Sequence, residues 1–158
     1  MIVYVIGSLQ NKIIPVISKR LRKSGFETYD EWWCPGEFAD KHWQSYCKSR
    51  GLTYQEALKG WHAKQVFEID KFHLDRCDAG ILVLPAGRSG HLELGYLIGS
   101  RKPGYILLDK EPDRYDLMYK FATMVTIRLD EILDDIKSVM TGHVTYNSNN
   151  SSHMYGSS

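Results

Sequence analysis

Three short apolar runs govern what this chain can fold into: "IVYVIG" at residues 2–7, "DAGILVLP" at 78–85 and "GYILL" at 104–108. Their apolar stretches do not alternate with polar residues, and Gly, Ser or Pro closes the first two. A strand with one wet face alternates in polarity. A short run apolar on both sides reads instead as a parallel strand covered on both faces. Between the runs lie segments of helical period. In "NKIIPVISKRLRKSG", Ile13, Ile14, Ile17 and Leu21 recur at helical spacing, Pro15 falls near the first turn, and Gly25 suits a C-cap.

"FETYD" adds a short second strand, "MVTIRL" a fifth, and "DEILDDIKSVM" a final amphipathic helix. Alternating strands and helices predict an α/β fold. It is a single doubly wound, flavodoxin- or Rossmann-like parallel sheet of about five strands, with helices on both faces. Residues 1–141 are expected to form this one domain, and 158 residues are enough for a sizeable core. The polar, low-complexity stretch 142–158 reads as a flexible tail.

Two segments are harder to read. Residues 53–77, "TYQEALKGWHAKQVFEIDKFHLDRC", predict one long helix with Thr53 and Glu56 as a capping box. Its apolar face is expected at Leu58, Ala63, Val66 and Ile69/Phe72. Residues 31–52, aromatic and carrying a Pro-Gly turn, read as an irregular insertion loop. Such a loop is either a lid or a surface excursion pinned by tryptophan packing. "RYDLMYKFAT" is expected to be helical.

Composition narrows the partners. A net charge of +1 offers no basic face for a nucleic acid polymer. No apolar run approaches the roughly 20 residues of a membrane span. The opening "MIVYVIGS" has no basic leader and reads as a strand rather than a signal peptide. Cys34, Cys47 and Cys77 are odd in number, widely spaced and free of zinc-type spacing. Reduced thiols in a cytoplasmic protein, with no metal site, are the simplest expectation.

In a doubly wound sheet, ligands sit beyond the carboxyl ends of the strands. Gly7-Ser8, residues 30–33 and residues 85–93 are therefore expected to meet at one cleft. The loop "GRSG" leads into a helix whose free N–H groups and dipole favour an anion. Gly87 and Gly90 allow close backbone approach, and Arg88 and Ser89 add donors suited to phosphate. Glu93 is either a capping acid in the first helical turn or a functional carboxylate. Its neighbours Leu92, Leu94, Tyr96, Leu97 and Ile98 make the helix look buried all round, and a buried carboxylate is costly unless it is used. Upstream, Asp70 and Asp75 compete as acidic partners, each with a solvated helix face as the alternative. Asp78 reads as a turn residue. Trp32 and Trp33, at the cleft mouth, could stack on a base or simply pack.

The stretch "IDKFHLDRCDAGILVLPAGRSGHLELGYLIGSRKPGYILL" resembles the nucleoside 2-deoxyribosyltransferase superfamily, which includes nucleoside 5′-monophosphate N-glycosidases. The shared pattern runs in order through Asp70, Asp78, an apolar strand, a Gly/Ser loop, Glu93-Leu94-Gly95-Tyr96 and Arg101-Lys102-Pro103. The resemblance implies that Glu93 is the nucleophile and Asp70 the aspartate near sugar and base. It implies cleavage of the N-glycosidic bond of a (deoxy)nucleoside or its 5′-monophosphate through a glycosyl-enzyme. The sugar then passes to water or to another base. The loop has Gly87, Arg88 and Ser89 where base-exchanging members carry an acid, which tilts the expectation toward a 5′-phosphorylated substrate and hydrolysis. No cofactor is implied. A homodimer or larger is, with residues 31–52 and the final helix as candidate interfaces. The rival readings are a non-catalytic nucleotide-binding module and an NAD-type dinucleotide glycohydrolase.

Overall fold

A computed structural model describes residues 1–141, so the expected tail at 142–158 lies outside the described residues. Strands β1 (Ile2–Ile6), β2 (Glu27–Tyr29), β3 (Ala79–Val83), β4 (Gly104–Leu107) and β5 (Met124–Thr126) form one sheet. Their order is β2-β1-β3-β4-β5, and every pairing is parallel. The doubly wound α/β fold expected from the apolar runs is what forms.

The pleat divides the core into two layers. Val3, Val5, Ile81, Val83 and Tyr105 point to one face, under helices α1 (Ile14–Lys23) and α6 (Leu129–Met140). Tyr4, Ile6, Leu82 and Ile106 point to the other. There they meet Leu94 and Leu97 of α5 (Arg88–Gly99) and Leu74 of α4 (Trp61–Arg76). Successive side chains alternate faces, so a run apolar at every position is what two covered faces require. The chain leaves β1 toward β2 on one side and β3 toward β4 on the other. The crevice between these departures is the switch point where such sheets bind ligands.

Four local expectations are corrected. Residues 31–52 are largely helical: a 3-10 turn at Glu31–Trp33 and helix α2 (Ala39–Ser49), bounded by Gly36 and Gly51 at positive φ. The helix was obscured because its inward stripe is short: Cys47 is its buried residue and Trp43 is half-buried. The long helix of 53–77 is two helices, α3 (Tyr54–Lys59) and α4, broken at Gly60 in an extended conformation (φ −70°, ψ 157°). An interior glycine costs a helix about 1 kcal/mol relative to alanine, so it marks a natural break. The capping box of Thr53 and Glu56 forms at the start of α3. Between Asp116 and Ala122, "RYDLMYKFAT" makes only a 3-10 turn, Leu117–Phe121.

The fourth correction concerns packing. Leu58, Val66, Ile69 and Phe72 were expected to face the core, yet all four are exposed. Helix α4 is anchored near its C-terminus by Leu74 and by Asp70 and His73, which meet Tyr29 of β2, while most of its apolar side chains stay exposed. Likewise α5 is not buried all round, since Leu92 is 76% exposed. Among the described residues no helix is long and apolar enough to cross a membrane. All three cysteines are free thiols.

Candidate active site

Helix α5 begins at Arg88 with Gly87 as N-cap, which puts Glu93 in the second turn; the first turn holds no acid. The dipole-capping explanation for Glu93 therefore fails. Gly90 fixes the seat of this helix. A Cβ there would lie 3.0 Å from Leu82 Cδ1 and 3.1 Å from Ile6 Cγ2, so glycine lets α5 settle onto β1 and β3 without displacing these two side chains. Ser89 and Glu93, four residues apart, share a face and are separated by about 6 Å along the axis. Both line one cleft of about 550 Å³.

Gly7 and Ser8 form the opposite lip. A side chain at Gly7 would collide with Ile14. The lip is tied to the β3 loop by Asn11, whose buried Nδ2 donates to the carbonyls of Val83 and Pro85, each at 3.3 Å. The Leu84–Pro85 peptide in that loop is cis. Asn11 was missed in the sequence, where a lone Asn ahead of an apolar helix carries no distinctive signal.

Asp70 enters from α4, half-buried, and accepts a hydrogen bond from the Tyr29 hydroxyl at 3.2 Å. The Tyr29 ring stacks on His73, with centroids 3.6 Å apart and planes 7° from parallel. Tyr29, at the end of β2, was also not singled out from the sequence. Trp32 walls the cleft, and its indole N–H donates to the Val5 carbonyl at 2.8 Å, so the ring is held in place. Trp33 packs into the other core layer instead.

The structure thus brings together Gly7, Ser8, Trp32, Asp70, Gly87, Ser89, Gly90 and Glu93. Arg88 is not among them: it is exposed and borders a separate depression with His91 and Leu92. His91 lies against Gly87 O at 2.8 Å and the Tyr119 hydroxyl at 2.9 Å. Asp75 and Tyr96 form a surface network with Lys71, so of the two candidate aspartates Asp70 is the one that lines the cleft. Asp78 accepts from the Ile2 N–H at 2.7 Å and holds the start of the sheet.

Burial, and then the Asp70 carboxylate, push Glu93 up to about 8. Burial also raises Asp70, while Tyr29 and His73 act in the opposite direction. The Tyr4 hydroxyl is raised by burial and by both carboxylates. Two carboxylates that feel each other in a desolvated site cannot both ionise freely, so near neutral pH the pair keeps a proton. Glu31 and Asp40 also line the cleft, giving it four acids and no Lys, Arg or His. Among the described residues no cluster of His, Cys, Asp or Glu is arranged to hold a metal ion. One ionised and one protonated carboxyl in the same cleft suit attack at, and proton delivery to, the two ends of a polar bond.

The fold is similar to that of the CMP N-glycosidase BcmB of Clostridium botulinum. The TM-score is 0.50 at 16% identity, over 87% of this chain and 99% of that one. At this identity the likeness is one of fold. No protein-family model matches the sequence, and no curated protein matches it.

Proposed function

We propose that this protein is an enzyme that cleaves the N-glycosidic bond of a (deoxy)nucleoside or its 5′-monophosphate. The observation that carries the reading is that two carboxyls, Glu93 and Asp70, line one cleft at the sheet's switch point, both raised by burial, with the Asp70 carboxylate raising Glu93 further. The fold's likeness to a nucleotide N-glycosidase supports it.

In this reading the reacting form is the less populated one, in which the proton that burial favours on Glu93 has moved to Asp70, and ionised Glu93 attacks the anomeric carbon. The C1′–N bond breaks, and its electron pair goes to the base. The proton kept by the pair, carried on Asp70, passes to the departing base. Water then adds to C1′ and gives its proton to Asp70, and Glu93 leaves as carboxylate. Trp32, tethered through its indole N–H, offers a fixed flat wall for a base. Ser8, the Gly87 and Gly90 backbone and the Ser89 hydroxyl hold sugar and phosphate, with the α5 N-terminus favouring the anion. Hydrolysis is favoured over transfer, because the loop before Glu93 offers no acid to handle an incoming base.

The working unit is a homodimer or larger. Trp61, Phe67 and Phe72 of α4 are 70%, 64% and 56% exposed, more apolar surface than one helix leaves in water without a partner. A monomeric mass by light scattering would refute this.

The activity is tested by incubating the protein with deoxy- and ribonucleosides and their 5′-monophosphates, with and without a free base. Released base is followed by chromatography, with Glu93→Ala run in parallel. Release without acceptor, lost in the variant, is the expected result. Release only with acceptor makes the protein a transferase. Binding with no release from any compound makes it a nucleotide-binding module.

A further inference from the structure

A second cavity of about 420 Å³ adjoins the cleft and shares two residues with it, Ser89 and Asp40. It is built between α2, the start of α3 and the N-terminus of α5, and Lys41, Trp43 and Lys48 line it. Along α5 the direction from Glu93 to Ser89 leads out of the cleft and into this space. Neither Lys41 nor Lys48 is in an ion pair among the described residues. Trp43 is half-buried, with its ring 6.1 Å from that of His62.

Charge orders the two spaces. Apart from the shared Asp40, the cleft proper presents three acids, Glu31, Asp70 and Glu93, and no cation. A polyanion is repelled from the Glu93 end and must lie with its charge beyond Ser89. The first cations it meets on that path are Lys41 and Lys48, against one exposed carboxylate, Asp40, which water screens. Resting on the reading that Glu93 acts at the glycosidic carbon, we propose that this second cavity is a binding subsite for a nucleotide extended beyond its 5′-phosphate: a nucleoside 5′-diphosphate carrying a further sugar ring. The first phosphate sits at the α5 N-terminus, the second between Lys41 and Lys48, and the outer ring against Trp43. Asp40 accepts that ring's hydroxyls.

The subsite is read by binding, on the Glu93→Gln protein so that no ligand is consumed. Isothermal calorimetry compares AMP, ADP and ADP-ribose, and the corresponding cytidine mono- and diphosphates. The diphosphates are expected to bind at least about tenfold more tightly than the monophosphates, and ADP-ribose more tightly again. Lys41→Ala with Lys48→Ala should abolish the first gain, and Trp43→Ala the second, each leaving monophosphate affinity within about twofold. Equal affinities for mono- and diphosphate, or a loss in these variants that falls equally on the monophosphate, would overturn the subsite alone. No binding of any of these nucleotides, or of the corresponding nucleosides run beside them, would overturn the parent reading with it.

Discussion

Helices α5 and α4 each deliver one carboxylate to the same cleft, yet they are held in opposite ways. Helix α5 is seated on the sheet through Gly90, Leu94 and Leu97, with the backbone so close that an added methyl group at Gly90 would press on two side chains. Helix α4 touches the core mainly through Leu74 and carries most of its apolar residues outside. Glu93 is therefore set by packing that the domain supplies for itself. Asp70 is set by a hydrogen bond from Tyr29, whose ring stacks on His73 of the same helix, and by a helix whose outer face is exposed. In a two-carboxylate site this division gives one rigid group and one adjustable group.

The largest effect should come from the rigid side. Glu93→Gln should lower turnover by about a thousandfold or more, since it removes the attacking group rather than a contact. Asp70→Asn, on the adjustable side, should cost about 100-fold and fall mainly on compounds with poor leaving groups, the signature of lost proton delivery. Steady-state kinetics on both variants separates the roles, and equal losses on every leaving group would erase the distinction. The pair also predicts a bell-shaped rate profile in pH. Glu93, pushed up to about 8, marks the upper limb, where the last shared proton leaves. A rate still rising above that pH would contradict a shared proton.

Stability sharpens the same contrast. Gly90→Val should destabilise the domain by about 2–3 kcal/mol through overpacking against Leu82 and Ile6, measurable by urea unfolding. Glu93→Gln should do the opposite. The carboxyl's ordinary value is 4.5 and its folded value about 8. Between these the unfolded chain ionises while the folded one keeps its proton, so wild-type stability falls as pH rises through that window and levels off above it. The gain from Glu93→Gln should therefore be absent near pH 4 and grow to roughly 4 kcal/mol by pH 8. Phe67→Ser on the outer face of α4 should change monomer stability least, within about 0.5 kcal/mol. In the proposed homodimer the same variant should also lower the molecular mass in solution, and an unchanged mass would show that this face is not the interface.

How much of this was legible depends on whether a signal was local. The buried strands were plain because both faces are covered, and a run such as Ala79–Val83 is apolar at every position. Glu93 stood out because an acid amid Leu92, Leu94 and Leu97 demands a reason. Asp70 could be chosen over Asp75 only through the resemblance. The structure supplies the physical reason: one faces Tyr29, and the other pairs with Lys71. The face of α4 was misread because periodicity reports which residues are apolar, not what covers them. Tyr29 and Asn11 act through partners 41 and at least 72 residues away in sequence, and no local pattern encodes such contacts. Gly60 lies inside the stretch read as one long helix, and it is where the chain breaks into α3 and α4.

The central claim is a covalent bond between Glu93 and the sugar. It is tested by rapidly quenching the enzyme during turnover of the best compound from the release panel, or of its slow 2-fluoro analogue, and mapping peptides by mass spectrometry. The account predicts a mass increase equal to the sugar portion on the peptide containing Glu93, absent in Glu93→Gln. Base release with no adduct at any time point, or an adduct on another residue, would contradict it.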